Sequence, residues 1–187
     1  EINDALAYDH LTDNSKFLIE LFSSDAMIND GAVLLFRTKS ANFDNLKKLT
    51  PGDNIRVSVT VLPAMFVKGP PDYVVRLQEA NELLKLGYQI SLNMDPIILT
   101  TDTVKTYKKI IDDIKIHFDY KSPKFHRITI GMLRFGSKNL DNNIRKRHVD
   151  LYGHAQRNMT KIKGDEKYRY DRDKRVEIYK VLGEYIQ

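Results

Sequence analysis

"VLLFRTKS", residues 33–40, is the stretch from which the rest of the chain can be read. Together with Ala32 it makes a run of five apolar residues that ends in Arg37-Thr38-Lys39-Ser40. A short continuous apolar run is the pattern of a strand covered on both faces, as in a parallel sheet. Two cations and two hydroxyls at the end of such a strand are costly unless they meet a ligand or a partner charge. Outward from this stretch, strand and helix patterns alternate. Residues 5–9 ("ALAYD") read as a strand. Residues 11–24 predict a helix with Phe17, Leu18, Leu21 and Phe22 on one face. "IRVSVTVL" (55–62) alternates and is rich in Val and Thr, as strands are. Residues 72–88 predict a helix with Val74, Leu77, Ala80, Leu83 and Leu84 inward and Gly87 closing it. "QISLNM" (89–94) is a strand, 100–118 a helix with Val104, Tyr107, Ile111 and Ile114 inward, and 126–135 a strand. Residues 138–152 predict a short helix. Residues 171–186 predict another, with Val176, Tyr179, Leu182 and either Tyr185 or Ile186 inward. Alternation of this kind implies an α/β fold, a parallel sheet with outer helices, closed as a barrel or open and doubly wound.

Composition narrows the classes. The chain has 187 residues, 42% of them hydrophobic, which suits one ordinary folded domain rather than a disordered segment. No apolar run approaches the length of a membrane span, so no membrane partner is expected. There is no signal-peptide pattern, and the absence of Met at the start fits a processed product or a fragment. There is no cysteine, which excludes disulfides and thiolate metal sites within this chain and favours a cytoplasmic setting. The five histidines show no metal-ligand spacing, and the usual nucleotide-binding and nucleophile motifs are missing. Net charge is +5 and the isoelectric point about 9.2. Cations and tyrosines mix from Arg145 to Arg175, a composition that suits nucleic acid. Asp150, Asp165, Glu166, Asp171 and Asp173 dilute that charge, so the segment reads equally as a solvated helix and hairpin. The break at 67–73, "VKGPPDY", is a turn and not a domain boundary.

In parallel α/β sheets ligands bind at the carboxyl ends of the strands. Asp9, Lys39, Asp95 and Arg134 follow strand patterns and would ring one rim, a mixture suited to a zwitterionic or phosphate-bearing ligand. Each alone has an ordinary reading. Asp95-Pro96 starts a loop, Lys39-Ser40 makes a turn, Arg37 pairs with Asp9, and Asp112-Asp113 lies on a solvated helix face.

At these same strand ends the chain resembles the spore photoproduct lyases. The resemblance rests on "DALAYDHLTDNSKFLIELF" (4–22), "LLFRTKSAN" (34–42), "ANELLKLGYQISLNMDPII" (80–98), "ITIGMLRF" (128–135) and "KYRYDRDKRVEIYKVL" (167–182), in that order along nearly the whole chain. It implies part of a radical S-adenosylmethionine (SAM) partial (β/α) barrel. Residues 1–155 would be the distal half of the barrel, and 156–187 a late β-hairpin and closing C-terminal helix of the same domain. It implies S-adenosylmethionine as cofactor and a 4Fe–4S cluster in the complete enzyme, held by a Cys-x3-Cys-x2-Cys loop. It places Lys39, Ser40, Thr60, Asn93 and Asp95 toward the cofactor. Arg37, Arg134, Arg157, Lys161, Lys167, Tyr168, Arg169 and Tyr170 fall toward substrate or DNA, and the expected reaction is lyase repair of a DNA photolesion or a related nucleic-acid reaction.

Two positions depart from the family. Its "SLNP" is "TVLP" (60–63) here, so Thr60 and Leu62 replace Ser and Asn. Its "HFDP" is "NMDP", which puts Asn93 where the family has His. These changes leave the substrate open. The cluster loop lies upstream of the matched region. The chain is therefore expected to be a fragment, to pair with a second chain carrying the missing N-terminal half, or to be a relative without chemistry that binds nucleic acid or serves as a structural subunit. A half barrel exposes a strand edge, here the first strand at residues 5–9, so homo-oligomers or a partner are expected.

Overall fold

The fold was read from a computed structural model, which describes residues 4–63, 71–136, 149–161, 164 and 167–187. The elements run α1 (Asp9–Thr12), α2 (Asn14–Phe22), α3 (Asp25–Asn29), β1 (Leu34–Thr38), a 3-10 turn (Leu46–Lys48), β2 (Ile55–Thr60), α4 (Tyr73–Lys85), β3 (Gln89–Ile97), α5 (Thr103–His117), β4 (Phe125–Met132), β5 (Arg134–Gly136), α6 (Val149–Asn158), β6 (Met159–Lys161), β7 (Lys167–Tyr170) and α7 (Arg172–Ile186). A four-stranded sheet has the order β1-β2-β3-β4, and a three-stranded sheet the order β5-β7-β6. The expected α/β architecture, with a parallel sheet, flanking helices, a late hairpin and a C-terminal helix, is present. The chain divides into two compact units, Glu1–Met94 with Lys109–Thr129 and Asp95–Lys108 with Ile130–Gln187.

Register explains why the sheet's strands read as apolar runs. β1 and β2 pair in parallel with Leu34 beside Ile55, Phe36 beside Val57 and Thr38 beside Val59. β2 and β3 continue the rows with Val57 beside Ile90 and Val59 beside Leu92. One sheet face is thus almost wholly branched aliphatic and buried. Each such side chain contributes roughly 1.5–3 kcal/mol on burial. Helix α4 packs on β2. The Asp72 side chain caps it by accepting the Val74 N–H at 2.8 Å. After the helix Gly87 takes φ +98°, a left-handed conformation natural to glycine, before β3 begins.

Several local expectations are corrected. Residues 5–9 are not a strand but a turn leading into α1. Short acidic side chains bend the backbone here: Asp4 Oδ1 accepts the Leu6 N–H, and the Asp9 carboxylate accepts both the backbone N–H and the hydroxyl of Ser15. In α2 the buried residues are Ser15 and Ile19, while Phe17 and Leu21 are exposed. The tie to Asp9 turns Ser15 inward and rotates the expected apolar face outward. The inward stripe of α4 holds Tyr73 and Arg76 besides Leu77, Ala80, Leu83 and Leu84, and Val74 lies at its margin. In α5 Val104 is only half-buried, and Ile110 joins Tyr107, Ile111 and Ile114 in the interior. In α7 Val176 and Tyr179 are exposed, while Ile178 and Leu182 are buried. The strand expected at 126–135 breaks at Leu133 into β4 and β5, which belong to different sheets. Of the helix expected at 138–152, residues 138–148 lie outside the described residues, and its end falls in α6.

Candidate functional site

The other face of the parallel sheet is polar. In the first unit Leu35 lies beside Arg56, which lies beside Gln89, and Arg37 lies beside Ser58, which lies beside Ser91. Nearest the carboxyl ends, Thr60 lies beside Asn93. At the opposite end the row is closed internally: Arg56 Nε donates to Gln89 Oε1 at 2.9 Å. Toward the carboxyl ends Ser58, Thr60, Ser91 and Asn93 are all buried. The main chain there is satisfied, with Val61 N–H donating to Asn93 O at 3.0 Å. The Asn93 side chain is not: its Oδ1 is buried and has no hydrogen-bond partner among the described residues. A buried acceptor left this way costs on the order of 1–3 kcal/mol.

The end of β1 is held by side chains that sequence reading missed. Asp4 Oδ2 accepts the Thr38 hydroxyl at 2.9 Å and the Lys39 N–H at 2.6 Å. The Lys39 carbonyl accepts from Arg76 Nη1 at 3.3 Å. Thr38 Oγ1 accepts the Ser40 N–H, and Ser40 Oγ accepts the Asn42 N–H, each at 2.9 Å. Asn42 in turn contacts His10 Nδ1 at 3.0 Å. The Lys39 backbone is therefore fixed through both its N–H and its carbonyl, while its side chain is exposed. Ser40 serves as a turn residue, with its hydroxyl proton still available to donate. Arg76 is almost completely buried, and its Nε has no partner among the described residues. Burial lowers the guanidinium's pKa, and Asp72 opposes that shift. Asp9, placed on the rim by the sequence, is an internal residue that caps Ser15.

The second unit carries Asp95 and Arg134. Arg134 Nη1 donates to Asp95 Oδ1 at 3.3 Å, and Nη2 to Oδ2 at 3.2 Å, a two-pronged pairing of planar groups. Gly131 makes room for it. A methyl group there would stand 2.5 Å from Asp95 Cγ and 2.7 Å from either carboxylate oxygen. In the three-stranded sheet Arg134 lies opposite Arg169, Gly136 opposite Lys167, and Thr160 opposite Arg169. Arg134, Lys167, Arg169 and Thr160 therefore share one face, because strand side chains alternate. The opposite face carries Phe135, Tyr168, Tyr170, Met159 and Lys161. Phe135, Met159 and Tyr170 are buried there. Of the residues expected at nucleic acid, the structure gathers three cations on one face. It places Tyr168 and Lys161 on the other, and Arg157 exposed at the end of α6.

Tyr170 is a core residue, 1% exposed. Its hydroxyl accepts the Leu99 N–H at 3.1 Å and lies 2.7 Å from His154 Nε2. Burial pushes the phenol up to about 12. Burial, and after it the Arg157 charge, holds His154 below its ordinary 6.5.

Nearly all of the chain, 98%, superimposes on spore photoproduct lyase complexed with dinucleoside spore photoproduct, with a TM-score of 0.79 and 20% sequence identity. This chain has that fold. A mutant of spore photoproduct lyase with bound AdoMet and dinucleoside spore photoproduct is similar at a TM-score of 0.73 and 19% identity, again over 98% of the chain. The chain spans 55% of the length of these solved structures. No protein-family model matches it, and neither does any curated protein. Among the described residues no helix is long and apolar enough to cross a membrane.

The residues present were tested against the two groups that the resemblance implies. An iron–sulfur cluster does not fit this chain, which has no cysteine; no group of three or more His, Cys, Asp or Glu occurs among the described residues that could hold a metal. S-adenosylmethionine fits the first unit: an exposed ammonium at Lys39, hydroxyls at Ser58, Thr60 and Ser91, and an acceptor at Asn93 that no group among the described residues uses.

Proposed function

We propose that the chain is the distal half of a spore photoproduct lyase-like radical SAM enzyme. In this reading it binds S-adenosylmethionine at the strand ends, and an N-terminal half or a second chain supplies the cluster. The observation that carries the reading is the buried polar row Ser58–Ser91 and Thr60–Asn93 at the carboxyl ends of parallel strands, in a chain with the lyase fold over 98% of its length. When bound together with the cluster, S-adenosylmethionine supplies a carbon-centred radical.

This chain's residues bind and orient. Lys39, its backbone clamped by Asp4 and Arg76, presents its ammonium to the cofactor's carboxylate. Ser40 donates its hydroxyl to the same group. Thr60 and Asn93 offer a hydroxyl and a carbonyl oxygen further in. Burial of this row keeps water away, which strengthens each polar contact. In the second unit Asp95 holds Arg134 in a fixed orientation. Arg134, Lys167 and Arg169 meet the phosphates of a nucleic-acid substrate, with Arg157, Lys161 and Tyr168 at the margins. The substrate in this reading is a DNA photolesion or a related nucleic-acid lesion.

The test is equilibrium binding of S-adenosylmethionine to the chain. Lys39→Ala is expected to weaken binding roughly 10-fold or more, the worth of a charge-assisted hydrogen bond. An unchanged affinity removes Lys39 from the site.

A further inference from the structure

Asn93 combines three properties that an ordinary structural residue does not share. It is 4% exposed, its Oδ1 has no partner among the described residues, and it lies in register with Thr60 on the polar sheet face, two residues beyond the Ser58–Ser91 pair. Hydroxyl groups donate and accept alike, so Ser58, Thr60 and Ser91 adapt to either kind of ligand atom. A carbonyl oxygen only accepts. An isolated buried acceptor is unfavourable, and an apolar side chain of similar size at this position would remove the penalty. An unmet acceptor among buried hydroxyls marks a place where a ligand's donor completes the bond. Arg37 on the same face and Lys39 just beyond it provide cations for the anionic end of that ligand.

We propose that Asn93 is a specificity-determining residue that reads a nucleobase N–H by accepting it at Oδ1. The proposal deepens the functional reading above and rests on it. Two sources supply such a donor, the exocyclic amine of S-adenosylmethionine's adenine and the ring N–H of a thymine in the substrate.

The experiment is a double-mutant cycle in which one partner is the ligand. Two probes are titrated against the chain: S-adenosylmethionine and the dinucleotide thymidylyl-thymidine. Each is paired with an analogue that lacks the donor, N6,N6-dimethyladenine in the first and N3-methylthymine in the second. The proteins are the unsubstituted chain, Asn93→Leu and Asn93→Ala. For one probe, methylation is expected to weaken binding at least 10-fold in the unsubstituted chain and less than 2-fold in either variant. Asn93→Leu is expected to weaken that probe 10-fold while raising Tm by a few degrees, because an unsatisfied amide has been replaced by an apolar group. Whichever probe shows the coupling identifies the source of the N–H. If Asn93→Leu does not fold, methylation of the probe still tests the bond on the unsubstituted protein.

Binding of a probe with all variants and analogues within 2-fold overturns the role of Asn93 and leaves the functional reading standing. A loss of Tm together with equal weakening of both probes assigns Asn93 to packing and also overturns it. Failure of the unsubstituted chain to bind either probe overturns both the proposal and the reading on which it rests.

Discussion

Gly131 shows how one absent side chain positions two present ones. Asp95 and Arg134 pair across a space that any Cβ would fill. Gly131→Ala is expected to destabilise the chain by about 1–3 kcal/mol, since an added methyl in a filled site forces its neighbours off their preferred geometry. A lower urea midpoint with an unchanged m value is the signature. In the Asp95→Ala background the same change is expected to cost almost nothing, because the carboxylate that it strikes has gone; equal costs in both backgrounds would refute the steric account. At this scale the candidate site was only partly legible. Lys39 and Asp95 were expected because they follow strand patterns, and Thr60 and Asn93 because of the resemblance to the spore photoproduct lyases. Ser58 and Ser91 were not, because a serine in an alternating strand looks like any solvent-facing residue until the register pairs it with another. Asp4 and Arg76 were hidden for a different reason: their partners lie 34 to 37 residues away in the chain.

At the scale of elements, α6, β7 and the segment after β3 are joined through one hydroxyl. Tyr170 takes the Leu99 N–H, and its hydroxyl lies 2.7 Å from His154 Nε2. Protonation of His154 puts a charge into this part-buried joint, close to Arg157. The folded His154 has a pKa below its ordinary 6.5, because burial and Arg157 disfavour the charge. The sign follows from linkage. Below 6.5 the unfolded chain binds a proton that the folded one resists, so this stabilisation is present above 6.5 and is lost as pH falls through the folded value. Denaturation midpoints are expected to fall further between pH 7.5 and pH 5 in the unsubstituted chain than in His154→Gln. Parallel pH profiles for the two would remove His154 from the linkage. The hairpin and C-terminal helix were foreseen as elements, but not this joint between them. "KYRY" reads as alternating cation and aromatic, and nothing in it says that Tyr170 turns to the interior while Arg169 turns away.

At the scale of the whole molecule, the four-stranded sheet has an edge. Among the described residues β1 has β2 as its neighbour on one side, and its other side ends the sheet. Val33 is 44% exposed and Leu35 47% exposed, an apolar edge of the kind that natural proteins cover or blunt with charge. The chain by itself is expected to self-associate, its apparent mass by light scattering rising with concentration. Leu35→Lys is expected to suppress this without loss of Tm, because the side chain is already half in water. A constant monomer mass for the unsubstituted chain across the concentration range would refute the edge as a docking surface. The edge was expected from sequence, but at residues 5–9 rather than at β1. The difference lies in the Asp4 and Asp9 side chains, which fold that segment into a turn before it can extend.

The sequence by itself determined the class of fold and the direction of the sheet. Apolar runs too short for helices, separated by amphipathic helical patterns, leave few solutions besides parallel strands with crossover helices. It also determined that this chain ligates no cluster through thiolates, since it contains none. The tertiary structure alone decided which residues share a face. Register sets the Ser58–Ser91 and Thr60–Asn93 pairs, a shift of one residue would send each of them to the other side of the sheet, and local pattern does not encode that shift. The clamp on Lys39 and the unpartnered oxygen of Asn93 follow from the same long-range pairing, because a hydrogen bond is made or left unmade only when distant segments arrive.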